Sequence, residues 1–179
     1  LQIPRRALGP HDVLLDVLYC GVCHSDIHQA RDEWRDWGPT VYPCVPGHEV
    51  IGRVGAIGKK VTKFKVGDIG GVGCLVDSCR TCDSCRADRD QNCARSATFT
   101  YNSPDAHGAA PVTYGGCSDR IVVTERFVIR IPPGADLAAM APLLCAGITT
   151  YSPLKQLLSK RRPGCLGPAT AVSRSARSW

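Results

Sequence analysis

The sequence has no run of about 18 apolar residues, which excludes a membrane-spanning helix. Its start, Leu1-Gln2-Ile3-Pro4-Arg5-Arg6, has neither an apolar signal core nor an initiator Met, so the expectation is a cytoplasmic protein whose N-terminus is incomplete. No internal repeat is present, and no stripe of alternating aromatic and basic residues, so specific nucleic-acid binding is not expected. Acidic residues are missing from one region only. Of 22 Lys and Arg, 16 lie before Leu154, where they balance all 16 Asp and Glu. The net charge of +6 therefore belongs to the tail (Lys155, Lys160, Arg161, Arg162, Arg174, Arg177). A neutral domain with a basic appendix differs from a uniformly basic domain built for nucleic acid.

What is present fits one ordinary domain. The chain has 179 residues, 44% hydrophobic and 21% charged, enough for one core and too few for two full domains. Residues 1–135 read as β-rich. Val13–Tyr19, Glu49–Ile57, Ile69–Val76 and Ser118–Ile131 are rich in Val and Ile and are separated by Gly, Pro and Asp. Val61–Asp68 reads as a connection into the third strand. Many short strands with Gly-rich turns predict a barrel-like fold. Asp136 suits the N-cap of a helix through Leu137–Met140, and Ile148–Leu158 reads as a second helix with Pro153 near its start. From Leu157 onward the sequence has no sustained period and predicts a disordered tail.

Eleven cysteines are many for this length. Cys79, Cys82, Cys85 and Cys93 stand as C-x2-C-x2-C-x7-C. Four thiolates at such spacing can surround one zinc tetrahedrally and close it to water. The residues between them are polar, as in a loop whose folding energy comes from the metal. Surface thiols or disulfides are one alternative. An iron–sulfur site is another, although the fourth cysteine sits too far on and no Pro follows it.

Two further segments carry ligand types: Cys20-Gly21-Val22-Cys23-His24-Ser25-Asp26-Ile27-His28, and Cys44-Val45-Pro46-Gly47-His48-Glu49. Alone, each is a moderate signal, since a single Cys is usually a small buried hydrophobe. Ser25 also suits the N-cap of a helix beginning at Asp26, Glu49 a solvated strand-edge charge, and His28, Trp34 and Trp37 ordinary surface or packing positions. Cys20, Cys44, Cys74 and Cys117 read as buried or incidental, and His107 carries no argument.

Together with the cysteine cluster and Leu143-Leu144-Cys145-Ala146-Gly147-Ile148-Thr149-Thr150-Tyr151, these segments resemble the zinc-dependent alcohol dehydrogenases of the medium-chain dehydrogenase/reductase superfamily. Their wording is similar to the cinnamyl-alcohol-dehydrogenase and bacterial aldehyde-reductase branch. The resemblance spans roughly Pro10 to Leu154 and departs at Cys117, where the family usually has an aromatic.

It implies a mainly β, GroES-like, partly open barrel over residues 1–154 with a zinc loop at 77–95; the basic tail at 155–179, read from composition, lies beyond it. It implies two zinc ions. A catalytic ion is held by Cys23, His48 and Cys145 with Glu49 nearby, and a structural ion by Cys79, Cys82, Cys85 and Cys93. By the same resemblance Asp26 orients His48, Ser25 and His28 relay a proton, His24 and Thr149 touch NADP(H), and Trp34 and Trp37 wall the substrate pocket. The implied reaction interconverts primary alcohols and aldehydes by hydride transfer in a parent enzyme that is a homodimer.

A Rossmann domain with its G-x-G-x-x-G fingerprint is the expected next element. Gly164-Cys165-Leu166-Gly167-Pro168 does not supply it, having no preceding strand. The aperiodic basic composition here reads as a shifted reading frame. The alternative expectation for this chain is therefore an inactive, truncated zinc-binding module.

Overall fold

The computed structural model describes residues 1–105, 108 and 110–159. Its elements are β1 (Asp12–Cys20), α1 (His24–Ala30), β2 (Val50–Ile57), β3 (Ile69–Val72), β4 (Leu75–Asp77), α2 (Asp83–Arg86), β5 (Thr98–Phe99), β6 (Arg120–Thr124), β7 (Ile129–Arg130), α3 (Leu137–Met140) and α4 (Ala146–Ser159). Short 3-10 turns lie at Asp90–Asn92, Glu125–Phe127 and Ala141–Leu144. This is the expected mainly β fold with short helices. Five strands form one sheet in the order β6-β1-β2-β3-β7, and β4 pairs with β5 apart from it, so the sheet stays open rather than closing into a barrel.

All pairings are antiparallel. β1 lies against β2 from Val13↔Ile57 to Cys20↔Val50, with bulges at Leu14/Leu15 and Val17/Tyr19. It lies against β6 from Asp12↔Thr124 to Asp16↔Arg120. The period-2 pattern of β1 sends Val13 and Leu15 inward, where they join Val50, Val54, Phe64, Val72, Ile121, Val123 and Val128. Each such side chain contributes about 1.5–3 kcal/mol by leaving water. A second cluster, Ile51, Ile131, Ala141 and Leu144, fastens the 3-10 turn before Cys145 to the sheet.

Four expectations need correction. The stretch Ile69–Val76 is two strands, because the backbone at Gly73 and Cys74 turns to accept hydrogen bonds from Thr100 Oγ1 (2.5 Å) and Thr100 N (3.0 Å). Ser118–Ile131 is broken by the 3-10 turn at Glu125, whose carboxylate accepts from the backbone N–H of Thr62 and Lys63. Asp136 caps α3 as expected, accepting from Ala138 and Ala139 N–H. Pro153, however, lies inside α4 rather than near its start. The helix begins at Ala146, straight after Cys145, and forgoes the one backbone bond that proline cannot donate. It also continues through Leu157 to Ser159, where an aperiodic tail was expected. The rest of the tail, the Gly164–Pro168 stretch and His107 lie outside the described residues. No single described helix is long and apolar enough to cross a membrane.

Candidate metal centre and pocket

The fold delivers the segments with candidate metal ligands to one end of the sheet. Cys20 ends β1, Gly21 turns the chain, and Cys23 stands at the N-cap of α1, which starts at His24. Ser25 is therefore inside the helix and is not its cap. Asp26, at the third helical position, accepts the Cys23 N–H (2.8 Å), an N-terminal capping contact. The same buried carboxylate accepts the Gly47 N–H (2.9 Å) and contacts His48 Nδ1 (3.1 Å). One side chain thus ties together two segments that are remote in sequence. Gly47 has a φ of +105° and sits under Cys20 and Cys117, a position that a side chain would strain.

Burial alone would raise the Asp26 pKa. The His48 contact and the two backbone N–H groups outweigh it and hold Asp26 below the usual carboxylate value. For His48, burial works to lower the pKa, but the Asp26 hydrogen bond and charge raise it above the usual histidine value. Because Nδ1 is engaged by Asp26, Nε2 is the nitrogen left available to coordinate a metal.

Cys145 arrives from the other side, between the 3-10 turn and α4. Its sulfur is 3.9 Å from that of Cys23. Ligand atoms of Cys23, His48, Glu49 and Cys145 all lie within 4.8 Å of one another. Glu49 is 2% exposed, so it is no solvated edge charge. Gly21 leaves room for its carboxylate, since a Cβ there would fall 2.1 Å from Glu49 Oε2. Burial pushes the Glu49 pKa up.

The second cluster is local. Sulfurs of Cys79, Cys82, Cys85 and Cys93 also lie within 4.8 Å of one another, with Cys79 3.8 Å and Cys82 3.4 Å from Cys85. A tetrahedron with Zn–S bonds of ~2.3 Å spaces its sulfurs about 3.8 Å apart. Backbone N–H groups of Cys82, Ala94 and Cys79 point at the sulfurs of Cys79, Cys82 and Cys93 respectively. Such donors favour thiolates. The Thr81 and Cys82 N–H groups, with the Thr81 hydroxyl, draw the Cys79 thiol down to about 5. The soft donor set fits a four-sulfur metal site. Arg126 fastens this loop to the sheet through Cys85 O, Asp88 and Asp90.

Between the first cluster and solvent lies a cavity of ≈390 Å³, lined by Ser25, Gln29, Trp34, Trp37, His48, Cys74, Phe99, Tyr101, Asn102 and Cys145, among others. Its size suits a small organic molecule. Trp34 is half-buried, whereas Trp37 is 90% exposed and lies at the rim. The Ser25 hydroxyl is 3.6 Å from Cys23 Sγ. His28 is outside the lining. Its ring lies between His24 and Trp34, and its Nδ1 contacts Glu33. His24 and Thr149 are exposed and do not line the cavity.

Sequence reasoning missed two further aromatics of the cavity lining. Tyr101 is buried, its ring 5.5 Å from that of His48, and Phe99 stands beside it. Cys74 also faces the cavity, although it was expected to be incidental. The only available signal was the pair of aromatics just after Cys93.

Residues 9–133 match the family described as the alcohol dehydrogenase GroES-like domain. The chain belongs to that family. It is 56% identical over 156 residues to the aldehyde reductase YahK of Escherichia coli, covering 87% of this chain and 43% of that protein. It is 53% identical over 151 residues to a probable cinnamyl alcohol dehydrogenase of Arabidopsis thaliana, covering 84% and 40%. Among solved structures it resembles a cinnamyl alcohol dehydrogenase from Sorghum bicolor (TM-score 0.82, 45% identity, covering 90% of this chain and 44% of that one). It also resembles the Helicobacter pylori enzyme complexed with NADP(H) (TM-score 0.81, 44% identity, covering 96% and 50%). The chain spans less than half the length of the curated relatives it matches.

Proposed function

We propose that the chain is the substrate- and zinc-binding part of an enzyme that interconverts primary alcohols and aldehydes with NADP(H). The observation that carries this reading is the convergence of Cys23, His48 and Cys145 from three distant segments, with His48 and Cys145 lining an aromatic-walled cavity. Two sulfurs and one imidazole, with Glu49 behind them, suit a zinc ion that keeps a position open. Zinc bound there supplies a Lewis acid for an alcohol or aldehyde oxygen. The four-cysteine loop would hold a second, structural zinc.

The chain's own groups serve this chemistry. Asp26 fixes the ring of His48 and the backbone of both Cys23 and Gly47. The Ser25 hydroxyl, on the cavity wall, accepts the proton of a substrate alcohol or returns it to a forming one. His28, one helical turn further along α1, carries the proton toward solvent. Trp34, Phe99 and Tyr101 exclude water and favour an aromatic or other apolar aldehyde. His24 and Thr149, exposed beside the cluster, are the cofactor contacts. The relative complexed with NADP(H) supports that choice of hydride carrier.

Zinc analysis and NADPH-linked reduction of an aromatic aldehyde, made on the protein as isolated from its source, test the reading. Two zinc ions and zinc-dependent turnover are expected, with one ion and all turnover lost in Cys145→Ser. A protein that binds only the loop zinc would refute it. The second reading concerns the 179-residue chain by itself, because it spans less than half the length of its relatives. That chain would be a zinc-binding module without turnover, holding two ions while oxidising no NADPH.

A further inference from the structure

Cys20 and Cys117 belong to neither ligand cluster. Their sulfurs nevertheless lie 3.9 Å apart, although the residues are 97 positions apart in the sequence. Cys20 is the last residue of β1 and is half-buried, while Cys117 stands in the turn before β6 and is exposed. Both sulfurs pack over Gly47, where a Cβ would meet them at 2.7 and 2.9 Å. The Cys117 segment is pinned beside them, with Gly116 N donating to Gly47 O (2.8 Å) and Cys117 N to Pro46 O (3.0 Å). On the outer side a groove of ≈730 Å³, lined by Ile3, Val45, Cys117, Ser118 and Arg120 among others, gives a small molecule access to Cys117.

We propose that Cys20 and Cys117 form a reversible dithiol site that reacts with small disulfides such as oxidised glutathione. Cys117 attacks one sulfur of the incoming disulfide. A mixed disulfide forms, the original S–S bond breaks, and one small thiol leaves with the proton from Cys117. Cys20 then attacks Cys117 Sγ, closing the Cys20–Cys117 bond and expelling the second small thiol with the proton from Cys20. Two electrons pass from the protein thiols to the small disulfide, which is reduced to two thiols. Exposure makes Cys117 the attacking sulfur, and the Cys20 hydrogen bond supports this by drawing the Cys117 thiol down to about 7. The half-buried Cys20 is the resolving sulfur. The bond would staple the turn leading to Cys23 to the segment beside Gly47 and His48, so the redox state of this pair would bear on both ligand-bearing segments.

The test is peptide mapping of the zinc-replete wild-type protein after exposure to oxidised glutathione, with remaining thiols alkylated and zinc measured before and after. A Cys20–Cys117 cross-linked peptide is expected, with an intact mass lower by two hydrogens, full zinc retention and reversal by dithiothreitol. Cys20→Ser should stop at a glutathione adduct on Cys117, and Cys117→Ser should give neither product. A stable adduct on wild-type Cys117 without the cross-link would overturn the proposal. So would no reaction at either residue, or a cross-link seen only after zinc is lost. The wild-type map decides the matter even where a variant folds poorly, and it requires no dehydrogenase activity.

Discussion

Replacing Asp26 by asparagine removes a charge and reverses one hydrogen-bonding atom while leaving the volume nearly unchanged. In the wild-type protein one carboxylate oxygen accepts from Cys23 N (2.8 Å), and the other serves Gly47 N (2.9 Å) and His48 Nδ1 (3.1 Å). An asparagine can keep its oxygen toward Gly47 and His48. Its amide nitrogen then faces the Cys23 N–H, donor against donor, and that buried N–H goes unsatisfied at a cost of about 1–3 kcal/mol. The two surviving bonds also fall from charge-assisted to neutral strength. A total loss of about 2–4 kcal/mol follows for the metal-free fold. Because both Cys23 and His48 lose their support, zinc affinity at that cluster should fall by about 10- to 100-fold.

Competition with a chromogenic chelator reads each ion separately. The four-cysteine site has no contact with Asp26 and serves as the internal reference. Asp26→Asn should weaken one ion and leave the other unchanged. Equal weakening of both ions, or unchanged affinity of both in a folded variant, would refute the reasoning that Asp26 organises the Cys23–His48 cluster.

The remaining expectations use other parts of the molecule. Arg126→Ala removes the bonds to Cys85 O, Asp88 and Asp90; with the guanidinium partly exposed it should cost about 1 kcal/mol and speed proteolysis at the cysteine loop. Gly47→Ala combines a positive φ with a Cβ only 2.6 Å from Cys117 N, so a drop of about 2–4 kcal/mol is expected in urea unfolding. Leu15→Ala, at a fully buried core position, should cost about 2–5 kcal/mol in the same assay. In zinc-free protein the lowered Asp26 pKa sets the sign of a pH effect. Its stabilisation is present above the unfolded value of about 3.9 and is lost as pH falls through the folded value. The urea-midpoint gap between wild type and Asp26→Asn should therefore narrow on acidification, and a gap that stays constant would count against that assignment.

The local parts of the fold were legible and the long-range parts were not. Strand β1, the Asp136 cap and the cysteine cluster each declare themselves within a few residues, through alternation, capping chemistry and spacing. The breaks at Gly73 and Glu125 are imposed by partners far away in sequence, Thr100 and the N–H groups of Thr62 and Lys63. Residue types alone give no hint of them. The candidate ligands Cys23, His48 and Cys145 were grouped only through resemblance to a family, since nothing local pairs Cys23 with His48 or Cys145. Tyr101 and Phe99 were missed because an aromatic after a cysteine loop has many possible neighbours, and only the fold brings these two into one cavity lining with His48. Asp26 was legible as a helper of His48, but its simultaneous hold on the Cys23 and Gly47 backbone needs the tertiary structure.

The two clusters also differ in what must exist before a metal can bind. Cys79 and Cys93 are 14 positions apart, whereas Cys23 and Cys145 are 122 apart. In an unfolded chain, closing the longer loop costs about 2 kcal/mol more by the logarithmic length law, before His48 is brought in. The cysteine loop can offset its own ordering cost with four sulfurs and local N–H groups. The other cluster needs the sheet first: β1 and β2 set Cys23 near His48 through Asp26, and Leu144 in the second core cluster seats Cys145 opposite them. Core packing and the chemistry of the proposed catalytic centre are therefore coupled through few contacts. A cavity at Ile51 or Leu144 should disturb the Cys23–His48–Cys145 centre more than an equal loss of stability at Val13 or Val123, at the far end of the sheet.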